Sequence, residues 1–371
     1  MDYSKFQSTI DRSDMFYWQG DRPFDAKETK EIFLDRHETF HEFEVKEAIT
    51  YGMMQAGKTA DNANVVHVDP PIVSGSVNIV CKALLNDKTS VIVRMHPPKI
   101  KNGYFWAESL ASKRAKEHGI PSYDTYFIDD TQSKFNFDYM IIECLSGKNI
   151  HKDLSPLSPA LDEKIAEQTG MYAAKINSIP MDQYGFFDNT IAKQTKKLIG
   201  IHTAWQDHVF AAYKKNLDYL RQTETITGEM KQEIESIFDR KQQALVCLQP
   251  KLIQNDIADW NELAKEDGTV TGILDWDECF SGDPIMEIAA WSLFFDDARL
   301  EHFLSGYTKV LALPDDYEEK FHLYRLRYVV CKVAMRKKKS EYEYYATPMM
   351  QELLRYGLKV LEEELVWQRT H

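Results

Sequence analysis

The segment QNDIADWNELAKEDGTVTGILDW, Gln254 to Trp276, decides how this chain is read. Asp256 stands five residues ahead of Asn261, and Asp275 comes fourteen residues after that Asn. Asp-x4-Asn alone is a common pattern, and an Asx-capped loop is its plain reading. The residues after Asn261 make the pattern more specific. Asp267-Gly268 is a hairpin signal that predicts Asp275 folded back toward Asn261. The apolar run GILDW is then succeeded by GDP, Gly282 to Pro284, and by the apolar run IAAWSLFF, Ile288 to Phe295.

On either side of this segment, the 371 residues suffice for two lobes. Residues 26–58 read as helical, with Ile32, Phe33, Phe40 and Phe43 as apolar positions. IVSGSVNIVCKALL and SVIVRMH read as strands joined by the turn Asn86–Lys88. GYFWAESLASKRAKEHG reads as a helix ended by Gly119 and Pro121. YDTYFIDD and FDYMIIECLSG read as two more strands. From about residue 155 the pattern is helical, apart from a β-like island at 250–282. The expectation is an α+β chain with a β-rich N-lobe and a mainly helical C-lobe. Its parts are a helical extension over 1–64, an N-lobe over 65–147 and a C-lobe over 148–371.

Composition excludes some functions. No run of about 18 apolar residues exists, so no membrane span is expected. The N-terminus lacks a basic start and an apolar core, so no secretory signal is read there. Five cysteines without a CxxC pair fit reduced thiols in a cytoplasm. A net charge of −13 argues against nucleic-acid binding, and it is compatible with a cationic small molecule. The basic run Arg336 to Glu341 reads as a solvated helix face. HETFH, His37 to His41, matches a zinc-binding pattern, but charged flanks and the missing third ligand favour two surface histidines.

The residues around Asp256 fit phosphoryl transfer. That chemistry needs a carboxylate to orient and deprotonate a hydroxyl, ligands for Mg²⁺ and a cation on the nucleotide phosphates. Mg²⁺ takes hard oxygens, with one or two carboxylates among them.

The string from Gln254 to Trp291 resembles the core of the aminoglycoside phosphotransferase and choline kinase-like family. That family reads H-G-D-x-x-x-x-N, then I-D-W, then G-D-P-x-x-D-L-A, on a protein-kinase-like fold. The resemblance implies Asp256 as catalytic base and Asn261 and Asp275 as Mg²⁺ ligands. It places Leu274 under the adenine and gives Asp283 a structural role. VSGSVNIV matches the nucleotide-covering hairpin, so Ser74, Gly75, Ser76, Val77 and Asn78 would meet phosphate and Val80 would cap the adenine. Arg94 stands where a kinase has its phosphate-pairing Lys, and Glu108 would be its ion-pair partner. In the inter-lobe link, the Ile142 carbonyl and Cys144 N–H would hold the adenine edge, with Ile141 behind it. ATP, or another nucleoside triphosphate, and Mg²⁺ are the implied cofactors.

Three departures stand out. Gln254-Asn255 replaces the family's His-Gly, Asn177 replaces a His, and Glu287 replaces an Asp. Gln keeps hydrogen-bonding capacity for bracing the loop, and Asn tolerates positive φ. The leading expectation is phosphorylation of an aminoglycoside-like antibiotic, with Asp259, Asp277 and Glu278 meeting its ammonium groups. Alternatives are a kinase of choline, an amino sugar or a hydroxylated amino acid, and a regulatory pseudokinase that holds nucleotide.

Overall fold

The computed structural model of the protein describes residues 25–72, 75, 77–98, 100 and 104–371. These form two compact units. The first contains the described residues up to Gly147, with Asp188–Leu198 and Thr271–Asp277. The second contains Lys148–Phe187, Ile199–Val270 and Glu278–His371.

The first unit is built on an antiparallel sheet. Its strands are β1 (Val65–Val68), β2 (Ile79–Leu85), β3 (Ser90–Met95), β4 (Thr125–Asp129) and β5 (Tyr139–Glu143), in the order β1-β2-β3-β5-β4. β2 and β3 are joined by the expected tight turn, where Lys88 takes a positive φ of 70° and its N–H donates to the Leu85 carbonyl. Side chains alternate across a strand, and the register sorts the two faces. Val80 pairs with Arg94, and Arg94 with Met140. Ile92 pairs with Ile142. These residues therefore share one face. Cys81, Val91, Val93, Tyr139 and Ile141 lie on the other, buried beneath the helix Glu42–Gln55.

That helix belongs to the core of this unit. Val45, Ala48, Ile49 and Met53 face the sheet, and Gly52 allows the closest approach: a Cβ there would meet Ile141 Cδ1 at 2.6 Å. Phe43, read as an apolar position, instead points outward with 71% of its surface exposed. The HETFH pattern does not form one α-helix. Asp35–Thr39 is a 3₁₀ turn and Phe40 is extended, so His37 and His41 do not share the face that zinc binding needs.

The second unit is mainly helical. The helices Pro159–Ile176 and Asp297–Thr308 cross at two glycines. A Cβ on Gly170 would collide with the Phe303 carbonyl, and one on Gly306 with the Glu167 carbonyl. The short strands Lys251–Ile253, Phe280–Gly282 and Tyr184–Phe187 pair beside them. The Asp-Gly hairpin forms as expected, with Gly268 at φ 78° and its N–H bonded to the Lys265 carbonyl at 2.9 Å. Among the described residues, no helix is long and apolar enough to cross a membrane.

Candidate active site

In the first unit, β3 carries the buried Arg94 into a cluster of carboxylates. One guanidinium nitrogen donates to Glu108 Oε1, and the other to Asp275 Oδ1 at 2.7 Å. Asp277 lies 3.9 Å away. Glu108, on the helix Phe105–Glu117, also accepts the Tyr123 hydroxyl proton. Burial works against the Arg94 charge. The Asp275 and Asp277 carboxylates outweigh it, so its pKa lies above the ordinary arginine value. The Arg94–Glu108 pair is buried on both sides and expensive to leave half-made, which fixes the guanidinium in place. Asp275 itself is at φ 59°, a backbone region costly for a non-glycine residue and common at functional sites.

The turn after β1 is held from an unexpected direction. Arg36 donates to the carbonyls of Phe33 at 2.6 Å, Gly75 at 2.7 Å and Asn78 at 3.2 Å. Val77 is buried with Ile32, Phe33 and Ile100 in a small apolar cluster. Gly75 takes φ 89°. Ser74 and Ser76 lie outside the described residues. On the sheet, Ile142 stands on the Arg94 face. Ile141, expected behind the adenine, points to the opposite face against Gly52. Cys144 and Leu274 are each half-buried.

In the second unit, Asp256 is gripped by its own loop. Its Oδ2 accepts from the Asn261 amide at 2.7 Å and from the Trp260 indole at 3.3 Å. Its N–H donates to Gln254 Oε1 at 2.7 Å, and Gln254 is fully buried. Asn255 sits at φ 72°, a left-handed conformation that Asn tolerates better than most non-glycine residues. Glu287 holds the loop from behind: its two oxygens accept the N–H groups of Gln254 at 2.7 Å and Asn255 at 2.8 Å. Burial pushes Glu287 up to about 7, against the pull of those N–H bonds. Asn177 bridges the Leu252 carbonyl, Glu287 and the Tyr307 hydroxyl. Asp283 accepts from the Ile285 N–H, Lys320 and the Tyr324 hydroxyl, each at 3.0 Å.

The donor chemistry fits magnesium. The Asn261 amide nitrogen donates to Asp256, so its carbonyl oxygen is the atom it could offer a cation. Asp275 adds a carboxylate whose side chain is 39% exposed, beside an Arg94 at 7%. Each is a hard oxygen donor of the kind Mg²⁺ accepts.

Trp260, Tyr123 and Arg36 were not among the residues that sequence reading proposed for the site, and Glu287 was read only as a departure from the family's Asp. Of the first three, only Trp260 left a signal, a large aromatic inside the Asp-x4-Asn spacing.

The model of the phosphotransferase enzyme family (APH) matches residues 71–343. No curated protein matches the sequence significantly. Solved structures share the fold. One is a thermostable mutant of the aminoglycoside phosphotransferase APH(4)-Ia, in ternary complex with AMP-PNP and hygromycin B. It is 16% identical at a TM-score of 0.56, over 80% of this chain and 95% of that one. Another, from Thermobifida fusca and provisionally named a fructosamine-3-kinase, is 18% identical at a TM-score of 0.54, over 80% and 94%. A third, from Ralstonia eutropha JMP134 and provisionally named an aminoglycoside phosphotransferase, is 15% identical at a TM-score of 0.59, over 87% and 98%. At these identities the likeness is one of protein-kinase-like fold.

Proposed function

The chain belongs to the phosphotransferase enzyme family, and from that premise we propose that it moves the γ-phosphoryl group of ATP to a hydroxyl of a small molecule, with Mg²⁺. The observation that carries this reading is the Asp256 loop. Its carboxylate is aimed by Asn261 and Trp260, its N–H is capped by Gln254, and its backbone is clamped by Glu287. A base so held needs no reorganisation when the acceptor arrives.

In the reaction, the acceptor oxygen bonds to the γ-phosphorus as the bond to the bridging oxygen breaks. ADP leaves with that electron pair, and Asp256 takes the hydroxyl proton. Arg94, fixed by Glu108, offers its guanidinium to phosphate oxygens, a role Arg fills as well as Lys though with different geometry. Asn261 and Asp275 are the residues that would hold Mg²⁺, which when bound offsets phosphate charge. Val80, Leu274, Ile142 and Cys144 take the adenine. Ser74, Gly75, Ser76, Val77 and Asn78 cover the phosphates. The Val80 and Ile142 side chains support this by sharing the Arg94 face of the sheet.

The test is ADP release from Mg-ATP across a panel of hydroxylated small molecules of neutral, cationic and anionic type. Acceptor-dependent ADP with a phosphorylated product is expected. Tight Mg-ATP binding without any acceptor-dependent ADP would instead make the protein a nucleotide-holding pseudokinase.

A further inference from the structure

The charge that an acceptor meets is set around the Asp256 loop. Of the acidic residues expected to receive ammonium groups, Asp259 is engaged: it accepts both terminal nitrogens of Arg299, at 2.6 and 2.9 Å. The helix Tyr317–Ser340 brings the opposite sign. Its Tyr328 hydroxyl donates to Asn255 Oδ1, fastening that helix face to the loop. Lys332 is one turn further on and Lys339 two turns beyond it, so all three share the face.

Two routes lead from the loop to those lysines, one through contacts and one electrostatic. In one, the Trp260 indole donates to Asp256, Phe294 stands edge-on to Trp260 at 5.0 Å, and the Lys332 ammonium lies 5.5 Å from the Phe294 ring centre. In the other, the Asn255 amide donates to Glu278 at 3.4 Å, and Glu278 is within electrostatic reach of Lys339. The run is not the solvated face that sequence suggested. Arg336 donates to the Leu353 carbonyl at 2.8 Å and Lys338 to Asn216 at 3.2 Å. Burial, with the Lys332 and Arg336 charges, pushes Lys339 down to about 8. Like charges gathered beside a catalytic loop, in a chain of net charge −13, are relieved by a bound anion. Trp260 keeps 39% of its surface in solvent, an apolar plane available to a carbon skeleton.

We propose that the acceptor carries an anionic group, carboxylate or phosphate, which Lys332 and Lys339 bind while Trp260 packs on its skeleton and its hydroxyl meets Asp256. This rests on the phosphotransferase reading and replaces the polycationic acceptor that sequence suggested.

The test is thermal unfolding of the full chain, alone and with saturating Mg-ADP, titrated at constant ionic strength with inorganic phosphate, acetate and spermidine. Phosphate or acetate is expected to raise Tm in the Mg-ADP form, and whichever acts more strongly identifies the anion. Lys332→Gln with Lys339→Gln is expected to weaken that anion at least about tenfold, as loss of charge-assisted bonds does. Each single variant, with its ligand-free Tm, controls for folding. Protection by spermidine instead of anions, or anion protection that survives the double change, overturns the inference. Lack of anion protection in protein that Mg-ADP does stabilise overturns it alone. Lack of stabilisation by Mg-ADP removes the phosphotransferase reading beneath it.

Discussion

Asp256 is the residue on which the proposed chemistry turns, and its removal has a defined signature. Asp256→Asn keeps the shape and keeps an acceptor oxygen for Asn261, so Mg-ATP affinity should stay within about twofold. Turnover should fall by about 10²–10⁴, the usual contribution of a general base. Calorimetry for binding and ADP release for turnover separate the two, and a variant within threefold of wild-type kcat would remove Asp256 from the role. Asp256, Asn261 and Asp275 stood out as candidates in the sequence because their spacing along the chain is the signal. Glu287 did not. It reaches Gln254 across 33 residues, and nothing in a local pattern tells a buried acid that accepts two N–H groups from a surface acid. The fold accommodates the Gln254-Asn255 departure: the Gln254 side chain braces the loop through the Asp256 N–H, and Asn255 takes the positive φ.

At the level of elements, the strands and the Asp267-Gly268 hairpin were readable from alternation and turn residues, while the partners of the N-terminal helices were not. An apolar stripe announces that a helix has a buried side but does not say what covers it. Residues 42–55 lie in the core of the sheet-bearing unit, and Arg36 just before them ties down the turn proposed to cover the phosphates. Arg36→Met should keep the aliphatic stem and remove three donations to backbone carbonyls. Each buried carbonyl left unpaired costs about 1–3 kcal/mol. Hydrogen exchange at Val77 to Val80 should therefore quicken at least about tenfold. KM for ATP should rise more than kcat falls, because the turn is proposed to hold nucleotide rather than acceptor. Unchanged exchange in that stretch would mean the turn is held by Val77 packing alone.

For the whole molecule, buried acids set how stability depends on pH. Glu287 has an ordinary carboxyl value of 4.5 and is pushed up to about 7 by burial. Glu262 is pushed up to about 8, also by burial. Between 4.5 and the raised value, the folded protein holds a proton that the unfolded chain has released. Stability therefore falls as pH rises through that window, by about 1.4 kcal/mol per unit for each such group. The contribution is complete below the unfolded value and gone above the folded one. Glu287→Gln removes one titration and leaves Glu262 in place, so the difference between the two proteins isolates Glu287. The variant should be less stable at pH 5.5, since an amide cannot accept both the Gln254 and Asn255 N–H groups. From pH 5.5 to 7.5 the wild type should lose about 2 kcal/mol more than the variant, the loss ending near pH 7. Chemical denaturation at half-unit steps measures both slopes. Parallel curves would show that Glu287 is ionised in the fold throughout, with its two N–H bonds sufficient to offset burial.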